Sequence, residues 1–206
     1  MDISVFPTKG NLMNAQNTLA LSRQGYELLD KKRNILIREM MLLIDEANEV
    51  QSHIDETFME AYSALQDANV MMGISTVEQV SYAVETVEDI TIRHRSVMGV
   101  DIPVVNAKEE PIAARYGMFQ TGTSLDTAYE KFDKVRNLII QLAEIETSVY
   151  RLANSIRKTQ KRANALKNVM IPRYENLTKT ISEVLEEKDR EEFSRLKSIK
   201  NAKNKE

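Results

Sequence analysis

Residues that could do chemistry are sparse in this chain. It holds two histidines, His53 and His94, and no cysteine. A protein zinc site needs three or four His, Cys or carboxylate ligands, usually announced by close pairs such as HExxH or CxxC. Neither histidine has a second His or Cys at such a spacing, so both read as structural. Lack of cysteine excludes thiolate nucleophiles, disulfides and Cys-ligated metals, and fits a reducing compartment. No GxxxxGK[ST], GxGxxG or GxSxG pattern occurs, so no phosphate cradle or nucleophile elbow is encoded. The run Glu186, Glu187, Asp189, Glu191 and Glu192 offers carboxylates that could pair for acid–base work. Lys188, Arg190 and Arg195 are interspersed at helical spacing, which makes a solvated helix face the simpler reading. No catalytic residue, metal or cofactor is assigned.

Cations concentrate in two places. Arg151, Arg157, Lys158, Lys161, Arg162 and Lys167 crowd one section, and Arg195, Lys197, Lys200, Lys203 and Lys205 follow near the C-terminus. Such groups can face acidic protein surfaces, form the solvated outside of a helix, or complement a helix dipole. Aromatic residues are not interleaved with them and the net charge is -3, so nucleic acid is not indicated. The basic tail carries few large apolar groups, which makes a membrane-surface protein a weak reading.

The elements that would position any of these residues are helical. The chain has 206 residues, 42% hydrophobic and 29% charged, with only 6 Gly and 4 Pro. From Leu12 through Ala15, Leu19 and Ser22 to Ala68 and Met71, apolar positions alternate steps of 3 and 4, interrupted at Ser22, Arg33 and Thr57. The same alternation runs from Leu138 through Leu142, Ile145, Leu152, Ala163, Leu166 and Met170 to Arg173, Leu177, Thr180 and Val184. Sustained over so many heptads, it predicts a mainly α protein: a long antiparallel two-helix left-handed coiled coil. Pro172 lies within the second series without an apparent loss of register, so it predicts a kink and not a stop. Antiparallel pairing sets it opposite Tyr26, beside Gly25, and the two residues Gly25 and Pro172 are the candidate bend.

Cap signals divide the chain. Residues 1–72 form the first long helix, with Thr8 as N-cap and Gly73 as stop; residues 124–206 form the second. Thr123 or Ser124 opens that helix, with Asp126 as the capping-box acid. Residues 73–123 form an insert at the closed end. Ser75 and Glu78 predict a capping box for a short helix, and "ITIRH" and "VDIPVV" alternate with period two, predicting a β-hairpin with its turn within 93–98. In that reading Ile90, Ile92, Val100 and Ile102 cover apolar surface, Arg93, Arg95 and Asp101 face outward, and Pro103 marks an edge. Pro111, Gly117 and Gly122 punctuate a loop-rich return. No apolar run reaches the roughly 20 residues that span a bilayer, and "MDISVFPTKGNL" lacks a secretory signal's features, so the expected location is cytoplasmic.

Three stretches carry a family resemblance: "FPTKGNLMNAQNTLALSRQGYELLDKKRNILIREM", "SVMGVDIPVV" and "KTQKRANALKNVMIPRYENLTKTISEVLEEKDREEFSRLKSIK". In this order they resemble the D subunit of V-type (archaeal-type) ATPase/ATP synthase. The resemblance implies a non-catalytic central-stalk rotor, coupling ATP synthesis or hydrolysis to proton or sodium transport. It implies a peripheral position on the cytoplasmic side of the membrane, without direct insertion. The implied partners are the A and B subunits of the catalytic hexamer, the F subunit, and the subunit (C/d type) that caps the membrane ring. Carried onto this sequence, Pro7, Thr8, Leu12, Arg190, Arg195 and Lys197 are candidates for the hexamer contact. Asp45, Glu46, Glu49, Arg151, Arg157 and Lys158 are candidates for contact with the F subunit. Without the resemblance, the residues alone support a soluble coiled-coil scaffold or adaptor.

Overall fold

The computed structural model describes residues 6–84, 90–107, 116–117 and 121–203. Helix α1 runs Lys9–Met72, α2 Ile74–Ser81, strand β1 Ile90–Val97, β2 Val100–Ala107 and helix α3 Thr123–Ala165. A π-helical turn, Leu166–Met170, joins α3 directly to α4, Ile171–Lys203. The chain divides into two compact units, one of Met1–Asn34 with Arg157–Glu206, the other of Ile35–Ile156. The expected positions Pro111 and Lys205, and the end of the expected short helix at 85–87, lie outside the described residues.

In the first unit the Thr8 hydroxyl accepts the Asn11 amide at 3.2 Å, the N-cap expected at the start of α1. Antiparallel pairing follows from three contacts. Arg23 meets Glu175 at 2.6 Å, Lys167 lies over the Tyr26 ring at 5.7 Å, and Arg33 donates to Gln160 at 2.8 Å. Numbers rise along one helix while they fall along the other. The interruptions in the seam are satisfied: Ser22 donates to the Thr18 carbonyl at 2.7 Å, and Arg33 also pairs with Asp30 at 2.7 Å.

Pro172 is neither a stop nor a kink in an unbroken α-helix. Immediately before it the Ile171 amide bonds to the Leu166 carbonyl, a five-residue step in place of four. A π-turn carries one residue more than an α-turn, so the seam slips by one. The expected seam residues Arg173 and Thr180 are exposed, whereas Tyr174 is half-buried and Ile181 is 2% exposed. The apolar residues beyond Met170 are one position out of phase with those before it, and the extra residue lets both sets face α1. The Arg23–Glu175 pair keeps the register that sets Pro172 opposite Tyr26, while the contacts of Tyr26 and Gly25 themselves lie about one turn earlier on the second helix. Tyr26 faces Lys167, and a Cβ on Gly25 would meet Leu166 at 3.6 Å, so both lie against the start of the π-turn.

In the second unit α1 buries Leu36, Ile54, Ala61, Ala64 and Ala68 and α3 buries Val135, Ile145 and Leu152, with Leu36 and Leu152 in one cluster. Lys131 meets Glu60 at 3.2 Å and Phe132 packs edge-on to Tyr62. Alanine at successive seam positions allows close helix approach toward the closed end. Met71, expected to close the seam, is 77% exposed. Gly73, with φ +82°, separates α1 from α2: its amide bonds to the Asn69 carbonyl and its carbonyl accepts the Thr76 and Val77 amides. Gly73 therefore caps α2, and Ser75 is not the cap. At α3 the cap is Gly122, whose carbonyl accepts the Leu125 amide. Asp126 does not close a capping box; it accepts the Tyr116 hydroxyl at 2.5 Å.

The hairpin turns at Met98 and Gly99, with φ of +50° and +75°. Both central residues are left-handed, as a two-residue type I′ turn requires. That turn, partly beyond the expected range, fixes Val97 opposite Val100, Arg95 opposite Ile102 and Ile92 opposite Val105. Facing pairs share a side of the sheet, so Ile90 and Ile92 lie on the opposite side from Val100 and Ile102. Ile102 is 2% exposed while Ile92 is 58% exposed, which corrects half of the expected apolar face. Val100 and Ile102 pack in one cluster with Leu36, Met40 and Leu43 of α1 and Leu152 and Ile156 of α3. The hairpin is part of the core and lies well back along the helices from Met72.

Candidate functional site

The expected hexamer-contacting residues belong to the first unit, near the start of α1 and the end of α4. Thr8 uses its hydroxyl for the cap, and Pro7 and Leu12 are half-buried. Arg190 pairs with Glu186 at 3.8 Å and Arg195 with Glu191 at 3.4 Å, one turn apart on an exposed helix. Lys197 is exposed. Burial on α4 ends at Leu185, and every side chain described from Glu186 to Lys203 is exposed. Along this segment Phe193, Leu196 and Ile199 repeat every three residues, with Phe193 70% exposed. A helix with large apolar groups that no other described residue covers is suited to insertion into another protein. The three residues were readable as a helical stripe, but the charges around them dominate the sequence there.

The expected F-binding residues are divided between the two units. Asp45, Glu46 and Glu49 are exposed on α1 in the second unit, while Arg157 and Lys158 are exposed on α3 in the first. Arg151 has a different task, donating to the Asp101 carbonyl at 3.0 Å and so tying β2 to α3. Glu144, two turns earlier on α3, accepts the Val105 amide at 2.7 Å. Together they bond two of the backbone groups on the outer edge of β2, the Val105 amide and the Asp101 carbonyl. Nearby on α1, Ile35, Met41 and Leu42 are exposed apolar residues that seam counting passes over. Their signal is a second sevenfold recurrence, Leu21, Leu28, Ile35 and Leu42, off the seam. Leu21 and Leu28 are likewise exposed in the first unit.

The closed end presents its own apolar surface. Val70, Met71, Ile74 and Tyr82 are exposed, and a cleft of about 450 Å³ is lined by Leu65, Val77, Val80, Leu125, Tyr129 and Phe132. Tyr116 at its rim has its hydroxyl pKa pushed well above the usual phenol value, by burial first and by the bond to Asp126 second. A phenol so held stays protonated at neutral pH and serves as a fixed donor. His53 and His94 are both exposed. Among the described residues no group of three or more His, Asp or Glu could hold a metal ion, and no helix is long and apolar enough to cross a membrane.

These surfaces suit a helical protein that works by binding other proteins. Comparison with known proteins gives the family. The family model for the ATP synthase D subunit matches residues 11–201. The D subunit of the V-type ATP synthase of Thermotoga neapolitana is 41% identical over 198 residues, covering 96% of this chain and 98% of that protein. The D subunits of the A-type ATP synthases of Thermococcus kodakarensis and Pyrococcus furiosus are 35% and 36% identical over 201 residues, each covering 96% of this chain and 94% of the relative. With paired long helices, a hairpin insert and a match across nearly its whole length, the chain belongs to the family of ATP synthase D subunits found in V-type and A-type enzymes.

Proposed function

We propose that this chain is the non-catalytic central-stalk rotor of a V/A-type ATP synthase, coupling ATP synthesis or hydrolysis in an A/B catalytic hexamer to proton or sodium transport. The observation that carries the reading is the exposed end of α4, where Phe193, Leu196 and Ile199 stand clear of the other described residues beyond the last half-buried seam residue. Stiffness comes from the helix pairing, since a long helix supported by a second along a seam resists bending. In this reading the α4 end, with Pro7, Thr8 and Leu12 at the start of α1, meets the hexamer. The exposed residues of α1 around Met41 to Glu49 meet the F subunit, and the apolar closed end at Met71 and Ile74 rests on the ring-capping subunit. The part works peripherally on the cytoplasmic side of the membrane. As it turns, different faces meet each catalytic interface and bias that site between open and closed states.

The scaffold or adaptor reading does not account for a family match that runs unbroken across residues 11–201. Affinity purification of the tagged full-length chain from its native host separates the two. The A, B and F subunits are expected in fixed stoichiometry with it. Recovery of the chain alone, or with assorted helical clients, would overturn the rotor reading.

A further inference from the structure

The two edges of the hairpin are treated differently. Val105 sends its amide to Glu144 and Asp101 its carbonyl to Arg151, so residues 101, 103 and 105 point their backbone groups away from β1. Pro103 lies on that edge and has no amide to leave unpaired. In an antiparallel pair, residues facing one another alternate between exchanging both hydrogen bonds and exchanging none. Ser96, His94 and Ile92 face Asp101, Pro103 and Val105, so their amides and carbonyls likewise point outward, on the other edge. Among the described residues nothing bonds to them. β1 has no proline or bulge to blunt this edge; it carries Arg93 and Arg95, and all its side chains are exposed except Val97, which is half-buried. Proteins ordinarily protect such an edge; on the β2 side Glu144, Arg151 and Pro103 do so, whereas on the β1 side only the arginine charges stand guard, and these repel a like-charged strand but admit an acidic one.

The ground beside the free edge is also prepared. Arg95 reaches Glu39 of α1 at 2.9 Å, which sets β1 on the α1 side of the sheet. Continuing around α1 from Glu39, away from the seam, come Ile35 and Leu42, both exposed. An added strand would have backbone partners along β1 and apolar helix surface beneath it.

We propose that the free edge of β1 receives an extended segment of another protein in the assembly, added as a third strand, with acidic residues against Arg93 and Arg95 and apolar residues against Ile92. Charge selects this occupant. A second copy of the chain pairing through β1 would bring its own Arg93–His94–Arg95 triplet against this one, and like charges directly opposite destabilise a ladder. A segment with carboxylates at those positions gains where the copy loses. Because the partner is a member of the assembly, the inference rests on the rotor reading.

Hydrogen exchange resolved to single amides tests it, with the full chain free and within the affinity-purified complex. In the free chain the amides of Ile92, His94 and Ser96 should exchange readily, while those of Arg93 and Arg95, bonded to β2, are protected. In the complex the first three should slow by at least about tenfold. Ile92→Pro removes one outward amide as Pro103 does on β2, and should weaken assembly by about tenfold, whereas Ile92→Val should not, one or two backbone hydrogen bonds being of that size. Retained protection at Arg93 and Arg95 in Ile92→Pro verifies that the hairpin is intact. Assembly with the three edge amides still exchanging freely would overturn the inference and leave the rotor reading standing. Failure to recover any complex would overturn both. Edge protection appearing in the free chain as its concentration rises would assign the edge to a second copy, overturning the choice of occupant.

Discussion

The π-turn before Pro172 can be tested by deletion. If Leu166–Met170 absorbs one extra residue, deleting Val169, whose side chain is exposed, should convert the turn to α-helix and leave Tyr174 and Ile181 on the seam. Pro172 would then sit inside regular α-helix, where its ring clashes with the carbonyl four residues back and one hydrogen bond is lost, at about 3 kcal/mol. The deletion alone should therefore cost about 3 kcal/mol, and adding Pro172→Ala should recover most of it. Pro172→Ala alone should keep the π-turn, because abandoning it would exchange buried Ile181 for Thr180, and burying one Ile side chain contributes about 1.5–3 kcal/mol. Deleting Lys179, also exposed, displaces Ile181 from the seam with no extra residue to absorb the loss, and should cost about 2 kcal/mol. Urea unfolding of the chain, followed by far-UV circular dichroism, measures these four variants and a fifth that combines the Lys179 deletion with Pro172→Ala. Equal cost for the Val169 and Lys179 deletions in the Pro172→Ala background would refute this assignment of register.

Four further outcomes are expected. Ile102→Ala should cost about 2–5 kcal/mol in the same unfolding assay because it opens a cavity against Leu36 and Leu152, while Ile92→Ala should stay within about 0.5 kcal/mol; the reverse order would mean that the hairpin register is wrong. Gly25→Ala should raise stability by about 0.5–1 kcal/mol, since the added methyl meets Leu166 at an ordinary 3.6 Å and alanine is the better helix former; a loss would reveal that the helices need the closer approach. Tyr116 is held protonated in the folded chain above its ordinary value of 10.0. Its contribution is thus complete below about pH 10 and lost as pH rises further, and Tyr116→Phe should flatten that alkaline decline in pH-dependent unfolding. Removing residues 190–206 should abolish co-purification of the A and B subunits while the F subunit stays bound, whereas loss of all three would indicate unfolding.

Heptads carried most of the fold into view because a seam is a repeated signal: each error at one position is corrected by its neighbours. From Leu12 to Ala68 every residue counted on the seam is buried or half-buried. Local events without repetition were less legible. A single extra residue at Leu166–Met170 leaves the 3–4 spacing countable in a shifted frame, so Arg173 and Thr180 could be counted in while Tyr174 and Ile181 were the residues facing α1. Ser75 and Asp126 satisfied a capping pattern, yet Gly73 and Gly122 supply the caps, since backbone geometry at a glycine leaves no side-chain signature. The hairpin's two faces depend on one turn, and moving that turn to Met98 and Gly99 sends Ile90 and Ile92 to the other side. Interface residues were least legible, because exposed apolar groups such as Leu42 and Phe193 declare themselves only once burial by the chain's own helices is known.

Rotation of this chain against the catalytic hexamer can be watched directly. The chain has no cysteine, so Gln79→Cys on exposed α2 gives one labelling site away from the seam. A bead or orientation-resolved fluorophore attached there, in a complex immobilised through its catalytic subunits, should turn stepwise in one direction when ATP is added and stop when ATP is withdrawn. A label that stays fixed while the same complexes hydrolyse ATP would contradict the assignment of this chain as the rotor.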